Sequence, residues 1–321
     1  VDDDHQRIPE RIIVFSESFP KDAFECWDKF DGRPYVIGDF VWTGLDYVGE
    51  AGLGRVFAPD ERARDPWVGE PQFPWHGAAC GDIDLIGRRK PISHYRNILW
   101  DRGEKPYAAV VAPAPGGGHW QLPRWSLPPT IASWTWPGCE GQELEVQVYS
   151  RHDFVRLTLN GETVGEAPTG RDQQFRATFR VPYQPGELKA VGVSEDGAME
   201  EWSLSTVGEA SQISLRPERG TLVADGQDLA FVAVEITDAE GRWRPDAAAP
   251  VEYKLTGPGE IVAVGSSDLA STQSYVANPR ATYQGRSLVI ICTSEEPGVI
   301  ALTASSARLA VASVEIISSV P

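Results

Sequence analysis

Two different hydrophobic patterns divide the chain. In its first third, short apolar runs are followed by segments with helical spacing, whereas the remainder is dominated by short strands in which apolar and polar residues alternate. Strands that alternate with helices favour a parallel α/β sheet, and closely spaced alternating strands favour an all-β sandwich. The pattern therefore predicts a multidomain protein with an α/β part followed by all-β parts.

The first apolar run ends in an acidic residue. Ile12 to Ser16 is uncharged and typical of a strand buried on both faces of a parallel sheet, and Glu17 follows it directly. Pro20 then suits the first turn of a helix, and apolar residues recur at three-residue spacing at Phe24, Trp27 and Phe30. Glu17 is thus expected at the carboxyl end of a buried strand, either as a catalytic group or as an anion that stabilises the next helix dipole.

A second strand and a long irregular segment follow. Tyr35 to Trp42 is again apolar, and Gly49 to Gly77, which includes Pro66-Trp67, is rich in glycine, proline and charge. Irregular segments of this length are uncommon unless they are functional. Because this one follows a strand end, we expect it to overhang the same face as Glu17. Ser93 to Trp100 then has the pattern of a final helix.

Beyond a proline- and glycine-rich passage at 112–118, the pattern is that of β-sandwiches. Asn160-Gly161 between two alternating runs is a strong hairpin signal. Two successive sets of short strands predict two immunoglobulin-like sandwiches. The predicted domains are 1–112, 113–208 and 209–321. The predicted strands are 144–150, 154–159, 175–181 and 188–193 in the first sandwich, and 212–216, 229–237, 250–255, 288–293, 298–304 and 310–317 in the second.

Charge and cysteine content exclude several classes of binding partner and of structural support. The formal net charge of −17 argues against nucleic acid or an anionic membrane as a partner. No run approaches the roughly 20 apolar residues that cross a bilayer. Four widely spaced cysteines, Cys26, Cys80, Cys139 and Cys292, indicate neither a metal cluster nor a disulfide scaffold. The cysteines leave the redox compartment undecided. For the cellular location we expect the bacterial periplasm or secretion rather than the cytoplasm.

Several motifs in the first third resemble a known family. They are Ser16-Glu17-Ser18-Phe19-Pro20, Gly38-Asp39-Phe40-Val41-Trp42-Thr43 with Asp46-Tyr47 and Gly49-Glu50, and Cys80-Gly81-Asp82-Ile83-Asp84-Leu85 through Lys90-Pro91 to Tyr95-Arg96. Together they resemble the last strands of the barrel of a family 2 glycoside hydrolase of the multidomain β-galactosidase type. The resemblance implies the C-terminal remnant of a (β/α)₈ barrel followed by two immunoglobulin-like β-sandwiches. Since such a barrel has eight strands and about two fit here, it also implies an N-terminal part of the same enzyme as a partner.

The resemblance implies retaining hydrolysis of a β-galactoside or an oligosaccharide. Glu17 matches the nucleophile, whereas the acid/base partner of the family is a Glu preceded by Asn, and no Asn-Glu pair occurs in this sequence. Because retaining hydrolysis needs two carboxyl groups, the isolated chain is expected to be inactive.

The other candidate site residues each have a second interpretation. Trp42 resembles the tryptophan beneath the sugar, although it could instead be a core tryptophan. Asp46 and Tyr47 either bind sugar hydroxyls or brace their loop, and His76 either reaches the pocket or is a surface histidine. Asp82 matches a polar position near the primary hydroxyl of the sugar and its ion, or is an Asx cap. The resemblance requires no cofactor or protein-held metal, but leaves room for Mg²⁺ or Na⁺ near the sugar.

One departure from the family leaves the substrate open. The best-known β-galactosidases follow the nucleophile with Tyr-Ala-His, where this chain has Ser18-Phe19-Pro20. Specificity for β-glucuronides or β-mannosides is therefore an alternative. A second alternative is a non-catalytic module for glycan binding or assembly, in which an incomplete barrel exposes strand edges that demand a partner. Homo-oligomerisation remains open.

Overall fold

The computed structural model describes residues 1–61 and 73–320, and the chain divides into two compact units, Val1–Thr206 and Val207–Pro321. The described α-helices are α1 (Asp2–Arg7), α2 (Ala23–Phe30) and α3 (Pro91–Leu99). Among the described residues, no helix is long and apolar enough to span a membrane. Strands dominate both units, which confirms the predicted strand-rich character of the C-terminal region.

The first unit begins with two parallel strands joined by a helix. β1 (Ile13–Ser18) leads through a 3₁₀ turn at Pro20–Asp22 into α2, and the chain returns in β2 (Val36–Val41). The strands pair in parallel, with Ile13 opposite Val36 and Ser18 opposite Val41. The apolar stripe of α2 places Cys26 and Phe30 against one face of this pair. This arrangement is a βαβ unit, as the alternating pattern predicts.

The opposite face of the two-stranded sheet is open. Val14, Ile37 and Phe40 are exposed there, with Ile37 at 69 % and Phe40 at 67 % exposure. The expectation that the first strand is buried on both faces is therefore wrong for this chain. The described sheet contains only β1 and β2, so α2 covers one face and no described element covers the other.

The two ends of the long segment that follows β2 lie next to each other. β3 (Tyr47–Val48) pairs antiparallel with β4 (Gly77–Ala78), so both ends of the long segment lie side by side. Residues 62–72, with Pro66-Trp67, lie outside the described residues. Helix α3 then buries Ile92, Tyr95, Ile98 and Leu99 in a cluster with Trp27 and Tyr107.

The rest of the first unit is a two-sheet sandwich. Its strands are β5 (Tyr107–Val111), β6 (Thr130–Ile131), β7 (Glu143–Tyr149), β8 (Phe154–Leu159), β9 (Glu162–Pro168), β10 (Arg176–Pro182), β11 (Glu187–Val193) and β12 (Met199–Ser205). One sheet has the order β10-β7-β5-β6 and the other β12-β11-β8-β9. Alternate residues of both sheets meet in one core around the fully buried Trp134. Asn160 and Gly161 both have positive φ in the β8–β9 turn, as the Asn-Gly signal predicts.

Strand β5 lies within the predicted first domain, yet it pairs with β7 of the sandwich. The contact pattern gives no division near residue 112, whereas a division falls between Thr206 and Val207. The three-domain organisation stays a prediction.

The second unit is another two-sheet sandwich. Its strands are β13 (Gln212–Pro217), β14 (Thr221–Val223), β15 (Leu229–Thr237), β16 (Pro250–Thr256), β17 (Gly259–Gly265), β18 (Arg280–Ala281), β19 (Arg286–Thr293), β20 (Gly298–Ser305) and β21 (Ala312–Ser319). The sheet orders are β13-β15-β19-β17 and β14-β21-β20-β16-β18. The core combines Val232, Val234 and Ile291 of the first sheet with Ile300 and Leu302 of the second.

Candidate functional site

Glu17 and Trp42 lie at the carboxyl ends of adjacent parallel strands. The backbone N–H of Trp42 donates to the carbonyl oxygen of Ser18 at 3.0 Å, which joins the two strand ends. The Glu17 side chain is exposed, and no described residue forms a hydrogen bond or ion pair with it. A carboxylate with these surroundings is accessible to a substrate.

A hydrogen bond directly after Glu17 ties β1 to β2. The hydroxyl of Ser18, which is buried, donates to the carboxylate of Asp39. The register between the strands shifts between Phe15 and Ser18, so the regular alternation of faces is interrupted at Glu17. A register shift of this kind can turn a side chain away from the face that strict alternation would give it.

Trp42 is partly accessible and is held by two other aromatic rings. The residue is 39 % exposed, and its indole meets Tyr47 edge to face at 6.5 Å and Trp125 at 6.4 Å between ring centroids. The peptide bond between Trp42 and Thr43 is cis. A half-packed, half-open indole is a geometry that allows stacking on the apolar face of a sugar ring.

Asp46 is buried in an ion pair. Its Oδ1 lies 2.7 Å from Nζ of Lys90 and accepts a hydrogen bond from the backbone of Gly81 at 2.8 Å. Burial raises the pKa of the Asp46 carboxyl, and the Lys90 ammonium opposes that rise. Lys90 also donates to the carbonyl of Ala79 at 2.9 Å. These contacts support the loop-bracing role of Asp46 over direct contact with a sugar.

Gly81 lets two segments of the site approach closely. A Cβ at this position would lie 2.3 Å from the backbone nitrogen of Asp46, which is far inside van der Waals contact. Any other residue at Gly81 would therefore push the loop that follows Trp42 away from the 79–82 segment.

Asp82 points into the structure toward helix α3. Its Oδ2 lies 2.7 Å from Nε of Arg96, and both side chains are largely buried. Burial raises the pKa of Asp82, against the effect of the Arg96 guanidinium. The Asx role considered for Asp82 belongs to Asp84, whose Oδ1 accepts from the backbone of Ile86 and Arg88.

Tyr47 and His76 lie on the paired ends of the long segment. The Tyr47 hydroxyl donates to the carboxylate of Glu50, and burial raises the pKa of Tyr47. His76 is half-buried, its carbonyl accepts from Gly49 at 3.1 Å, and its Nδ1 lies 3.1 Å from the carbonyl oxygen of Pro74. Pairing of β3 with β4 thus brings His76 beside the strand that carries Tyr47.

Three residues of this region carry roles that the sequence did not reveal. Lys90 and Arg96 belong to the motifs quoted above, but nothing in their spacing indicates that they neutralise Asp46 and Asp82. Trp125 comes from the passage between β5 and β6 of the first sandwich, and it packs on both Phe19 and Trp42. A contact that spans over 80 positions leaves no local signal in a single sequence.

Metal-ligating side chains do not cluster in the described part of the chain. No group of three or more His, Cys, Asp or Glu side chains among them is placed to hold a metal ion. Near the candidate site, the carboxylates of Asp46 and Asp82 are each paired with a cationic side chain. The Mg²⁺ or Na⁺ for which the resemblance leaves room stays a prediction.

The fold and the site together define a class of protein. A βαβ unit with an exposed carboxylate and a tryptophan at its strand ends, followed by two sandwiches, fits the class that the motifs resemble, a C-terminal region of a multidomain glycoside hydrolase. Comparison with known proteins supports that class. Residues 213–315 match the family model "Glycoside hydrolase family 2 C-terminal domain 5", and residues 141–199 match a domain of unknown function, DUF4982.

Similar proteins of known name or known structure are also glycosidases. The chain is 28 % identical to the β-galactosidase BoGH2A of Bacteroides ovatus over 86 % of its own length and 28 % of that protein. It is 25 % identical to a putative β-glucuronidase of Formosa agariphila over 86 % of the chain and 23 % of that protein. A family 2 glycosyl hydrolase structure from Bacteroides cellulosilyticus superposes with a TM-score of 0.88 at 34 % identity, covering 99 % of this chain and 40 % of that one.

The chain is a C-terminal part of a family 2 glycoside hydrolase, and the resemblance drawn from its motifs is thereby confirmed. It spans less than half the length of each of these relatives.

Proposed function

We propose that this chain is the C-terminal portion of a retaining exo-glycosidase that hydrolyses terminal β-D-galactosides, with Glu17 as the nucleophile. The observation that carries the proposal is the exposed carboxylate of Glu17 beside Trp42 at the ends of two parallel strands. The other carboxylates that lie deep in this region are committed elsewhere, Asp46 to Lys90 and Asp82 to Arg96.

The mechanism is a double displacement. The Glu17 carboxylate attacks the anomeric carbon while a second carboxyl group, about 5 to 5.5 Å away, protonates the departing glycosidic oxygen. The covalent glycosyl ester on Glu17 is then hydrolysed by a water molecule that the second group deprotonates. That second group is the Asn-preceded Glu of the family, which this chain lacks, so it belongs to the N-terminal part of the enzyme.

The open face of β1 and β2 supports completion of a (β/α)₈ barrel by that N-terminal part. Val14, Ile37 and Phe40 project from a two-stranded parallel sheet whose other face is covered by α2. Parallel sheets are normally covered on both faces, and their strands are therefore apolar on both sides. The face opposite α2 would become the barrel interior once six further strands close the sheet.

Trp42, Tyr47 and His76 are proposed to line the sugar subsite. Trp42 offers a partly exposed ring, and the pairing of β3 with β4 holds Tyr47 and His76 near it. Asp46 and Asp82 are proposed to hold the backbone segments that carry these residues in place through their ion pairs with Lys90 and Arg96.

Similarity to both β-galactosidases and β-glucuronidases makes specificity a separate question. The galactoside proposal follows the more similar of these two relatives, and a glucuronidase in the complete enzyme is its competitor. Rates of hydrolysis of nitrophenyl β-galactoside, β-glucuronide and β-mannoside by the complete enzyme decide between them.

The nucleophile is tested by removing its carboxylate in the complete enzyme. Glu17→Ala should lower kcat by at least about a thousandfold, since no other group can form the covalent intermediate. Added azide should restore turnover and yield the α-galactosyl azide, because azide replaces the nucleophile on the opposite face of the sugar. The control is Glu25→Gln, an exposed acid on α2, which should leave kcat unchanged. Full activity of Glu17→Ala would refute the proposal.

A further inference from the structure

The indole of Trp125 connects the two segments that carry Glu17 and Trp42. It meets Phe19 edge to face, with 4.2 Å between ring centroids and an interplanar angle of 80°. It also meets Trp42 at 6.4 Å with an angle of 66°. Trp125 is only 9 % exposed, so these aromatic contacts are largely shielded from water. One side chain from outside the βαβ unit therefore touches both sides of the candidate site.

Arg124 holds the same segment from another direction. Its guanidinium lies 5.0 Å from the centroid of the Phe19 ring, and it forms an ion pair with the carboxylate of Asp22 in the 3₁₀ turn. Phe19 stands two residues after Glu17 and adopts an extended backbone before that turn. Arg124 and Trp125 together thus fix the chain immediately after the proposed nucleophile.

The passage that carries these two residues is itself anchored. Gln121 and Phe57 exchange two backbone hydrogen bonds, at 2.9 and 3.1 Å, and the hydroxyl of Ser126 donates to the carbonyl of Arg55 at 2.7 Å. Backbone pairing on one side and a side-chain bond on the other leave Trp125 little freedom to move. The passage therefore acts as a rigid support for the site.

We propose that Trp125, assisted by Arg124, is a positioning residue that sets the placement of Glu17 and Trp42 relative to each other. This inference rests on the proposed function. Among the described residues, Glu17 has no side-chain partner of its own. Its placement therefore depends on the backbone that it shares with Phe19, whose ring packs on Trp125. A displacement of about 1 Å at a reacting group can cost on the order of 100-fold in rate. Rigid aromatic contacts prevent such a displacement.

Kinetics of the complete enzyme test the proposal. Trp125→Phe should lower kcat/KM for a nitrophenyl β-galactoside by about tenfold or more, mainly through kcat, because a misplaced nucleophile affects the chemical step. The pH profile of kcat/KM should keep its shape, since no ionisable group is removed. Arg124→Gln should act in the same direction with a smaller loss.

Matched controls separate positioning from stability. Trp134→Phe changes a fully buried tryptophan in the core of the first sandwich, and Arg171→Gln removes an ion pair with Asp28 on α2. Both should keep kcat/KM within about twofold of wild type, even where the melting temperature falls. A kcat/KM of Trp125→Phe within the same twofold range would overturn the inference.

A second readout uses the 321-residue chain without catalysis. With 5-fluorotryptophan incorporated, the ¹⁹F resonance of Trp42 should move in Trp125→Phe and stay in place in Trp134→Phe. An unmoved Trp42 resonance in both variants would overturn the inference. Its failure is distinguishable from failure of the proposed function, because loss of turnover in Glu17→Ala tests the nucleophile independently of Trp125.

Discussion

Lys90 and Asp46 form an ion pair between the N-terminal boundary of helix α3 and the loop that follows Trp42, with 2.7 Å between Nζ and Oδ1. The carboxylate is almost fully buried and the ammonium about a quarter exposed, at 6 % and 27 % of their side-chain surfaces. A pair in this setting is costly to break from one side, because the remaining charge stays desolvated. The site loop therefore depends on a residue 44 positions away.

Removal of Lys90 alone should destabilise the chain. Lys90→Met leaves the Asp46 carboxylate without its cation, and we expect a loss of about 3 kcal/mol in the free energy of unfolding, measured by urea denaturation. The double variant with Asp46→Asn should recover part of the loss. Lys189→Met, which breaks a surface pair with Glu201, should cost less than about 1 kcal/mol. Equal effects of Lys90→Met and Lys189→Met would contradict the buried-pair account.

Gly81 should tolerate no side chain. In Gly81→Ala the new Cβ would stand 2.3 Å from the nitrogen of Asp46, so the loop must shift, and we expect a loss of about 2 kcal/mol or more in unfolding free energy. Gly44→Ala is the matched control in the same loop, since a Cβ there would have no heavy atom within 4 Å. Thermal melts of both variants check the difference. A melting temperature of Gly81→Ala equal to that of Gly44→Ala would be evidence against the close approach.

The pH dependence of stability should contain a contribution from His94. Burial lowers the pKa of His94 despite its hydrogen bond to Glu104, and the nearby Arg89 adds to the lowering. The unfolded state therefore takes up the proton at higher pH than the folded state, so this contribution is fully present above the unfolded pKa near 6.5 and is lost as pH falls through the folded pKa. His94→Gln should flatten the fall in unfolding free energy between pH 7 and pH 5. Parallel pH curves for wild type and His94→Gln would exclude that contribution.

Glu104 should act in the same direction at lower pH. Burial by itself raises its pKa, but hydrogen bonds from His94, Asn97 and Arg89 outweigh that effect and hold the pKa below its ordinary value. A carboxyl with a lowered folded pKa stabilises the protein above its unfolded pKa, and this stabilisation is lost as pH falls through the folded pKa. Glu104→Gln should therefore reduce the acid sensitivity of the chain at pH values below those at which His94 acts. An unchanged acid transition would contradict this assignment.

The exposed face of the β1–β2 sheet should bind a hydrophobic dye in the 321-residue chain. In the complete enzyme the same face should be buried in the core of the barrel. Ile37→Thr and Phe40→Thr should reduce the fluorescence of bound ANS with the 321-residue chain, since both side chains are mostly exposed there. In the complete enzyme the same changes should cost about 1 to 4 kcal/mol each, because the face is then part of a core.

Val311→Thr, an exposed position of the second unit, is the control and should change stability by less than about 0.5 kcal/mol in either context. Neutral effects of Ile37→Thr and Phe40→Thr in the complete enzyme would argue against completion of the barrel across this face.

Local patterns sufficed for much of the fold. The predicted strands 154–159 and 229–237 coincide with β8 and β15, and the other predicted strands of the sandwiches agree within two residues at each end, because alternation in a half-buried sheet is a local property. Four strands of the first sandwich and three of the second were not predicted. Among them, β12 carries the sequence Met199-Glu200-Glu201 on an exposed edge, and β14 and β18 are only two or three residues long.

The site divides in the same way. The sequence predicts site roles for Glu17 and Trp42 because each follows an apolar strand within a longer motif, and those roles stay predictions. The ionic partners of Asp46 and Asp82 and the aromatic contacts of Trp125 have no such local signal, since those contacts depend on how segments up to about 100 positions apart pack in three dimensions. The sequence predicts Asp82 as a sugar contact or an Asx cap, whereas its ion pair with Arg96 on α3 is a tertiary interaction that no periodicity in the sequence indicates.

The most direct measurement is covalent trapping of the nucleophile in the complete enzyme with a 2-deoxy-2-fluoro-β-galactoside that carries a good leaving group. The fluorine slows breakdown of the glycosyl ester, so the label should accumulate and peptide mass spectrometry should locate it on Glu17, with none in Glu17→Gln. A label on any other residue, or an equal yield of labelled protein from Glu17→Gln, would contradict the account.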